Sequence, residues 1–268
     1  MNLSDYHIHS YFSGDSTESL DNIAEFAISS GLSEICITDH QDFDFMADGI
    51  LYEINPVAYS DIIDELSYKY RNKIKIKKGI ETGLEPDKNH RLDDFINSAD
   101  FDFVIGSSHL VNGKDPYYPD FFNNKTDDQA FMEYFESILN NLETCSNFDV
   151  YGHIDYVVRY SPNKDKNYSY IKYKDILDNI LKKLINMGKG IEINTSGYKS
   201  GLKEPNPCFE IIKRYRELGG EIITAGSDAH QCNYIGYRFK DAASILKNAG
   251  FRYYTKFNKR KPEFIKLD

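Results

Sequence analysis

Short apolar runs alternate along the chain with longer stretches of helical period, and the alternation holds from one end to the other. The runs at 34–38, 101–105 and 221–225 read as buried strands, and strand ends are expected near His9, His40, Glu81, His109, His153, Asn194 and His230. Between them, apolar positions recur with helical spacing over about 19–31, 56–72, 88–98, 127–146, 172–188, 206–218 and 240–249. Seven strand–helix units in series are the pattern of an α/β fold with a parallel sheet. Several helix ends can be read directly. Asn55-Pro56 and Asn206-Pro207 place a capping side chain before a proline at the first helical position, and Thr126 with Gln129 forms a capping-box pattern. Gly31, Gly188, Gly219 and Gly250 stand where helices should stop. The longest irregular stretches, 110–125 and 156–168, are polar and tyrosine-rich and both follow strands, where α/β proteins keep their sites. No linker or low-complexity run breaks the series, so residues 1–268 read as a single domain.

Composition narrows the function. With 268 residues and 41% hydrophobic content the chain can bury a sizeable core, and it is too apolar to be disordered. A formal net charge of −10 argues against nucleic-acid backbones and anionic membranes as partners. A phosphate-bearing substrate would have to be held by local positive charge, from metal ions or one well-placed arginine. Cys36, Cys145, Cys208 and Cys232 are scattered, with no Cys-x-x-Cys pair, which argues against a zinc finger and a disulfide framework and suits a reducing cytoplasm. The start of the chain lacks a basic and then apolar leader pattern, and no run reaches the roughly 18 apolar residues of a membrane span.

The candidate chemistry lies in the histidines. Six of the seven, His7, His9, His40, His109, His153 and His230, fall at expected strand ends, and only His90 lies elsewhere, where it reads as a solvated residue near a helix start. Carboxylates join them at the same ends: Asp39 beside His40, Glu81 after an apolar step, and Asp228 two residues before His230. Histidine with aspartate and glutamate, without cysteine, is the ligand set of a hydrolytic site for zinc, manganese or iron. In His7-Ile8-His9 and Asp228-Ala229-His230 the polar residues are two apart on extended chain, so both side chains of each pair point to one face. Glu192 and Asn194 have the phase to face the same place while Ile191 and Ile193 face the helices.

Taken in order, Asp5-Tyr6-His7-Ile8-His9-Ser10, Thr38-Asp39-His40, Gly79-Ile80-Glu81, Gly106-Ser107-Ser108-His109, Gly152-His153-Ile154-Asp155 and Gly226-Ser227-Asp228-Ala229-His230 resemble the motifs of the polymerase and histidinol phosphatase (PHP) superfamily. The resemblance runs from residue 5 to 230. The stretch 152–160 with Arg159, and 192–196, most resemble its histidinol-phosphate phosphatase branch. The resemblance implies a distorted (β/α)7 TIM-like barrel with three divalent metal ions at the C-terminal ends of its strands, zinc in first place and manganese or iron as alternatives. It further implies one ion on His7, His9, Glu81 and Asp228, a second on Glu81, His109 and His153, and a third on Asp15, His40 and His230. Asp39, next to His40, would point to the other face and play a supporting role.

The expected chemistry is phosphomonoester hydrolysis, with a hydroxide bridging two metals as nucleophile. Glu81, Asp228 and His230 are the expected catalytic groups and Arg159 the phosphate-binding one; the donor of the leaving group's proton stays open between the site's histidines and aspartates. Histidinol phosphate is the substrate the branch implies. A nucleotide or another small phosphate ester is the alternative, and a non-catalytic metal-binding domain a more distant one. Tyr117 and Tyr118 either stack on a substrate ring or pack ordinarily.

Overall fold

The computed structural model describes residues 3–267. In chain order its regular elements are α1 (Leu20–Ser29), β1 (Glu34–Ile37), β2 (His40–Gln41), the hairpin β3 (Met46–Ala47) and β4 (Ile50–Leu51), α2 (Pro56–Tyr70), β5 (Lys75–Gly83), α3 (Asn89–Asn97), β6 (Phe103–Ser107), α4 (Asp127–Thr144) and β7 (Val150–Tyr151). There follow α5 (Lys174–Asn186), β8 (Gly190–Asn194), the short α6 (Ser196–Lys199), α7 (Phe209–Glu217), β9 (Ile223–Gly226), α8 (Phe239–Asn248) and a terminal hairpin, β10 (Tyr253–Asn258) with β11 (Lys261–Lys266).

The main sheet is parallel in the order β1-β5-β6-β7-β8-β9, with β2 beside β5 so that His40 stands opposite Glu81. β6, β8 and β9 are buried along their whole length because helices cover one face and the sheet curls over the other. Both edges of the curl are bonded to the N-terminal segment: Cys36 N–H donates to the Asp5 carbonyl at 2.8 Å, and Tyr6 N–H donates to the Ala225 carbonyl at 2.9 Å. Since its bonds divide between β1 and β9, this segment forms isolated bridges, at Asp5–Ile35 and Ile8–Ala229, and no regular strand.

Helix placement follows local chemistry. Asn55 caps α2 by accepting from Ala58 N–H, with Pro56 at the first position, and Thr126 and Gln129 close a capping box on α4. One face of α4, Ala130, Phe131, Tyr134, Phe135, Ile138 and Leu142, is buried at helical spacing; such side chains contribute about 1.5–3 kcal/mol each on leaving water. The expected helix start at Asn206-Pro207 is not what forms. That peptide bond is cis, α7 begins at Phe209, and Asn206 is drawn inward, its side-chain amide donating to the Asp155 carboxylate. The hairpins β3–β4 and β10–β11 carry no periodic signal: the first is too short, with two residues per strand, and the second is too mixed in polarity.

The terminal hairpin closes the end of the sheet from which the strands start. Phe257 packs with Tyr6, Cys36, Phe103, Ile105 and Val150, while Tyr6 Oη donates to Glu34 at 2.6 Å and Lys256 pairs with Glu34 at 2.9 Å.

Candidate active site

At the opposite end, where the strands finish, the nine expected ligands converge. Glu81, fully buried on β5, stands at the centre and divides its oxygens. Oε1 lies 3.1 Å from His109 Nε2 and 2.9 Å from His153 Nε2, and it accepts from Ser107 Oγ at 2.7 Å. Oε2 lies 2.9 Å from His7 Nε2, 3.3 Å from His40 Nδ1 and 3.5 Å from His9 Nε2. Asp228 Oδ1 is 3.5 Å from His9 Nε2 and 3.6 Å from His230 Nδ1. Asp15 Oδ2 is 3.0 Å from His230 Nε2 and 3.7 Å from His40 Nε2. His90 is exposed on α3, away from the cluster.

The backbone arranges this at some cost. Asp228 adopts a left-handed φ of 53°, unusual for a non-glycine, and thereby turns both its carboxylate and His230 toward the cluster. At Gly226, a Cβ would collide with Glu192 Oε1, so the end of β9 must be glycine for the Glu192 carboxylate to reach past it.

Around the cluster stands a set of orienting partners. His7 Nδ1 is 2.6 Å from Glu192 Oε1, His109 Nδ1 is 2.8 Å from Asp42 Oδ1, and His9 Nδ1 is 3.0 Å from Ser13 Oγ. Glu192 thus faces the site, as its phase required, while Ile191 and Ile193 lie in the core among the helices. Asp39 accepts from the backbone and hydroxyls of Ser10 and Ser13, in keeping with a supporting role. Asp42 was missed, although it lies two residues after His40 and the same-face argument applied to His7 and His9 would have found it.

Arg159 is buried in the cavity wall and is no solvated loop residue. Its Nη1 donates to Asp228 Oδ2 at 2.8 Å, Nη2 to Asn194 Oδ1 at 2.7 Å and Nε to Asn206 Oδ1 at 2.7 Å. One N–H on each terminal nitrogen remains. The cavity, of about 470 Å³, is lined by the cluster, Arg159, Lys199, Asp115 and an aromatic group that includes Tyr52, Tyr117, Tyr118, Tyr156 and Tyr160.

Electrostatics divide the histidines. Burial disfavours a charged His7, but Glu192, Glu81 and Asp228 outweigh it and hold its pKa well above the usual value. Burial, reinforced by His230 and His40, drives His9 well below it. Burial pushes Glu81 up, yet His7, His109 and His40 together pull it well below the usual carboxylate range. The donor set fits divalent metal. His9 Nε2 and His40 Nδ1 are buried without a hydrogen-bond partner, each within 3.5 Å of carboxylate oxygens, which is the position of a ligand atom. Groups able to hold an ion include His7-His9-Glu81, Glu81-His109-His153, His9-His40-His230 and His40-Asp42-His109. Two departures from the expected partition stand out. His9 sits as close to His40 and His230 as to its own expected set, and Asp42 joins a ligand group.

The PHP domain model matches residues 5–196. The chain is similar to a histidinol-phosphatase of Lactococcus lactis, 35% identical over 94% of this chain and 93% of that one. It is similar also to a "Probable histidinol-phosphatase" of Clostridium acetobutylicum, 31% identical over 92% and 94%. A crystal structure of the Lactococcus lactis histidinol phosphate phosphatase, complexed with Zn, L-histidinol and phosphate, superposes with a TM-score of 0.89 at 34% identity, covering 98% of this chain and 99% of that one.

Proposed function

The chain belongs to the PHP domain family, and from that premise we propose that it is a metal-dependent phosphomonoesterase that hydrolyses L-histidinol phosphate to L-histidinol and inorganic phosphate, a step of histidine biosynthesis. The observation that carries the reading is Glu81, whose two oxygens face separate sets of histidines as a bridging carboxylate does. The substrate rests on near-full-length relatives and on the L-histidinol and phosphate held by the neighbouring structure.

His7, His9, Glu81 and Asp228 would hold one ion, Glu81 with His109 and His153 a second, and Asp15 with His40 and His230 a third. Zinc, present in the neighbour, comes first, with manganese or iron next. Divalent ions in such a site supply a nucleophilic water at neutral pH and neutralise charge on the phosphoryl oxygens. Arg159 binds a phosphoryl oxygen through its free N–H groups, fixed in direction by Asp228, Asn194 and Asn206. Glu81, Asp228 and His230 are the groups we assign to catalysis. His230, partly open to the cavity beside Asp15, would act in catalysis as a ligand of the third ion, which would stabilise the leaving oxygen. The bridged sheet edges support a distorted (β/α)7 barrel as the complete architecture. Free cysteines, and the lack among the described residues of a helix long and apolar enough to cross a membrane, fit a cytoplasmic enzyme.

The test is phosphate release from L-histidinol phosphate beside sugar phosphates, nucleotides and an aryl phosphate, by chelator-stripped protein with zinc or manganese restored. Metal-restored preference for L-histidinol phosphate is expected. Preference for a nucleotide or another ester overturns the substrate, and no turnover with metal bound overturns the activity.

A further inference from the structure

Five Asp and Glu carboxylates line the cavity around the histidine cluster: Asp15, Asp42, Glu81, Asp228 and Asp115. The first four each face a histidine or arginine nitrogen within 4 Å; Asp115, among the described residues, faces none. Asp48 also lines the cavity but is exposed, so water satisfies it. Asp115 Oδ1 accepts from Tyr117 N–H at 2.8 Å and from Tyr156 Oη at 3.3 Å, and burial pushes its carboxyl above the usual range. A half-buried carboxylate with no cation beside it can pair with a cationic group that arrives with a ligand.

The neighbourhood says which part of a ligand arrives there. Tyr156 lies between the two poles of the cavity: the Arg159 guanidinium is 5.4 Å from its ring centre, the His153 ring is 4.9 Å away, and its hydroxyl reaches Asp115. A phosphate at Arg159 and the histidines therefore leaves Asp115 about one tyrosine ring further along. In L-histidinol phosphate the amine is carried on the carbon next to the phosphorylated CH2, and it is protonated at neutral pH, whereas the imidazole is largely neutral and lies further off.

Resting on the substrate reading above, we propose that Asp115 binds the ammonium group of the substrate and so selects amino-alcohol phosphates from other esters. The structural alternative, that Asp115 only holds the turn at Tyr117, makes no distinction between substrates, and the test uses that difference.

Wild type and Asp115→Asn are compared on three esters: L-histidinol phosphate, the same ester without the amine, 3-(imidazol-4-yl)propyl phosphate, and 4-nitrophenyl phosphate. The quantity read is the ratio of kcat/KM values within one preparation, so any loss of folded or metal-loaded enzyme cancels. The loss on L-histidinol phosphate is expected to exceed the loss on either amine-free ester by about 30-fold, chiefly in KM, the scale of one charged hydrogen bond. An equal loss on all three, or no loss, overturns the proposal. An equal loss on the two imidazole esters alone also overturns it, since Asp115 would then read the ring. If instead wild type itself shows no preference for L-histidinol phosphate over 4-nitrophenyl phosphate, the proposed function fails, and that result appears without reference to the variant.

Discussion

The two ends of the curled sheet are built from the same strands and satisfy their polar groups in opposite ways. Where the strands start, Tyr6 Oη donates to Glu34, Lys256 pairs with that same glutamate, and the rest of the plug is apolar. Where they finish, six histidines and four carboxylates are packed together, and ring nitrogens of His9, His40 and His153 are buried without partners. A protein that sought only stability would finish both ends like the first, since a buried unpaired polar group costs about 1–3 kcal/mol. The contrast identifies the second end as a place shaped for something absent from the polypeptide, and its donor chemistry names that as divalent metal.

Substitutions at the two ends should therefore separate stability from chemistry. The largest effect is expected from Glu81→Ala, which removes the carboxylate shared by both histidine sets: kcat/KM for L-histidinol phosphate should fall at least about 1,000-fold, with metal content reduced by elemental analysis. A fully active Glu81→Ala enzyme would dissolve the contrast. At the other end, Phe257→Ala should cost about 3–4 kcal/mol in denaturant unfolding while zinc bound per folded molecule stays within twofold; a stability change below about 1 kcal/mol would show that the plug is not well packed.

Glu192→Gln keeps the shape beside His7 but removes the charge. Zinc affinity should fall about 10–100-fold in competition with a chromogenic chelator. The same titration carries a pH dependence. Glu192 and Glu81 hold a proton on His7 at pH values where histidine is ordinarily neutral, and metal must displace it. Wild-type zinc affinity should therefore rise from about pH 6 to about pH 8, with a shallower rise in Glu192→Gln; the same slope in both would remove His7 from the ligand set. Arg159→Ala should chiefly raise KM, and unchanged steady-state constants would mean that its free N–H groups meet no phosphate. His90→Ala, on the exposed face of α3, should leave turnover and metal content near wild type; a loss there would point to a contact outside the cavity.

How far the site could be read in advance depended on whether a residue's position is set by local phase. His40 and Glu81 stand on strands whose alternation decides which way each side chain points, His109, His153 and Asp228 follow two residues after strand ends, His7 and His9 lie on the bridged N-terminal segment, and seven helices fell within a few residues of their expected ranges. Glu192 could be placed by the same phase argument, although only the structure shows it against His7. Asn206 and Asp115 could not, because what places them is the course of a loop and not a repeat. Asn206-Pro207 followed a rule for helix starts, but the buried Asp155 carboxylate and the Arg159 guanidinium take its side chain inward, and tertiary hydrogen bonds prevail over local propensity. Asp228 combines both cases: its phase marks it as facing the site, yet its left-handed backbone has no signature in composition or period.

The most direct test of the metal-centre account is a zinc titration of chelator-stripped protein, followed by phosphate release from L-histidinol phosphate at each step. The account predicts no release without metal and activity that climbs with added zinc until about three equivalents are bound, in line with a multi-ion phosphoester site. Full activity in the stripped protein, or stoichiometric zinc binding with no release at any loading, would contradict it.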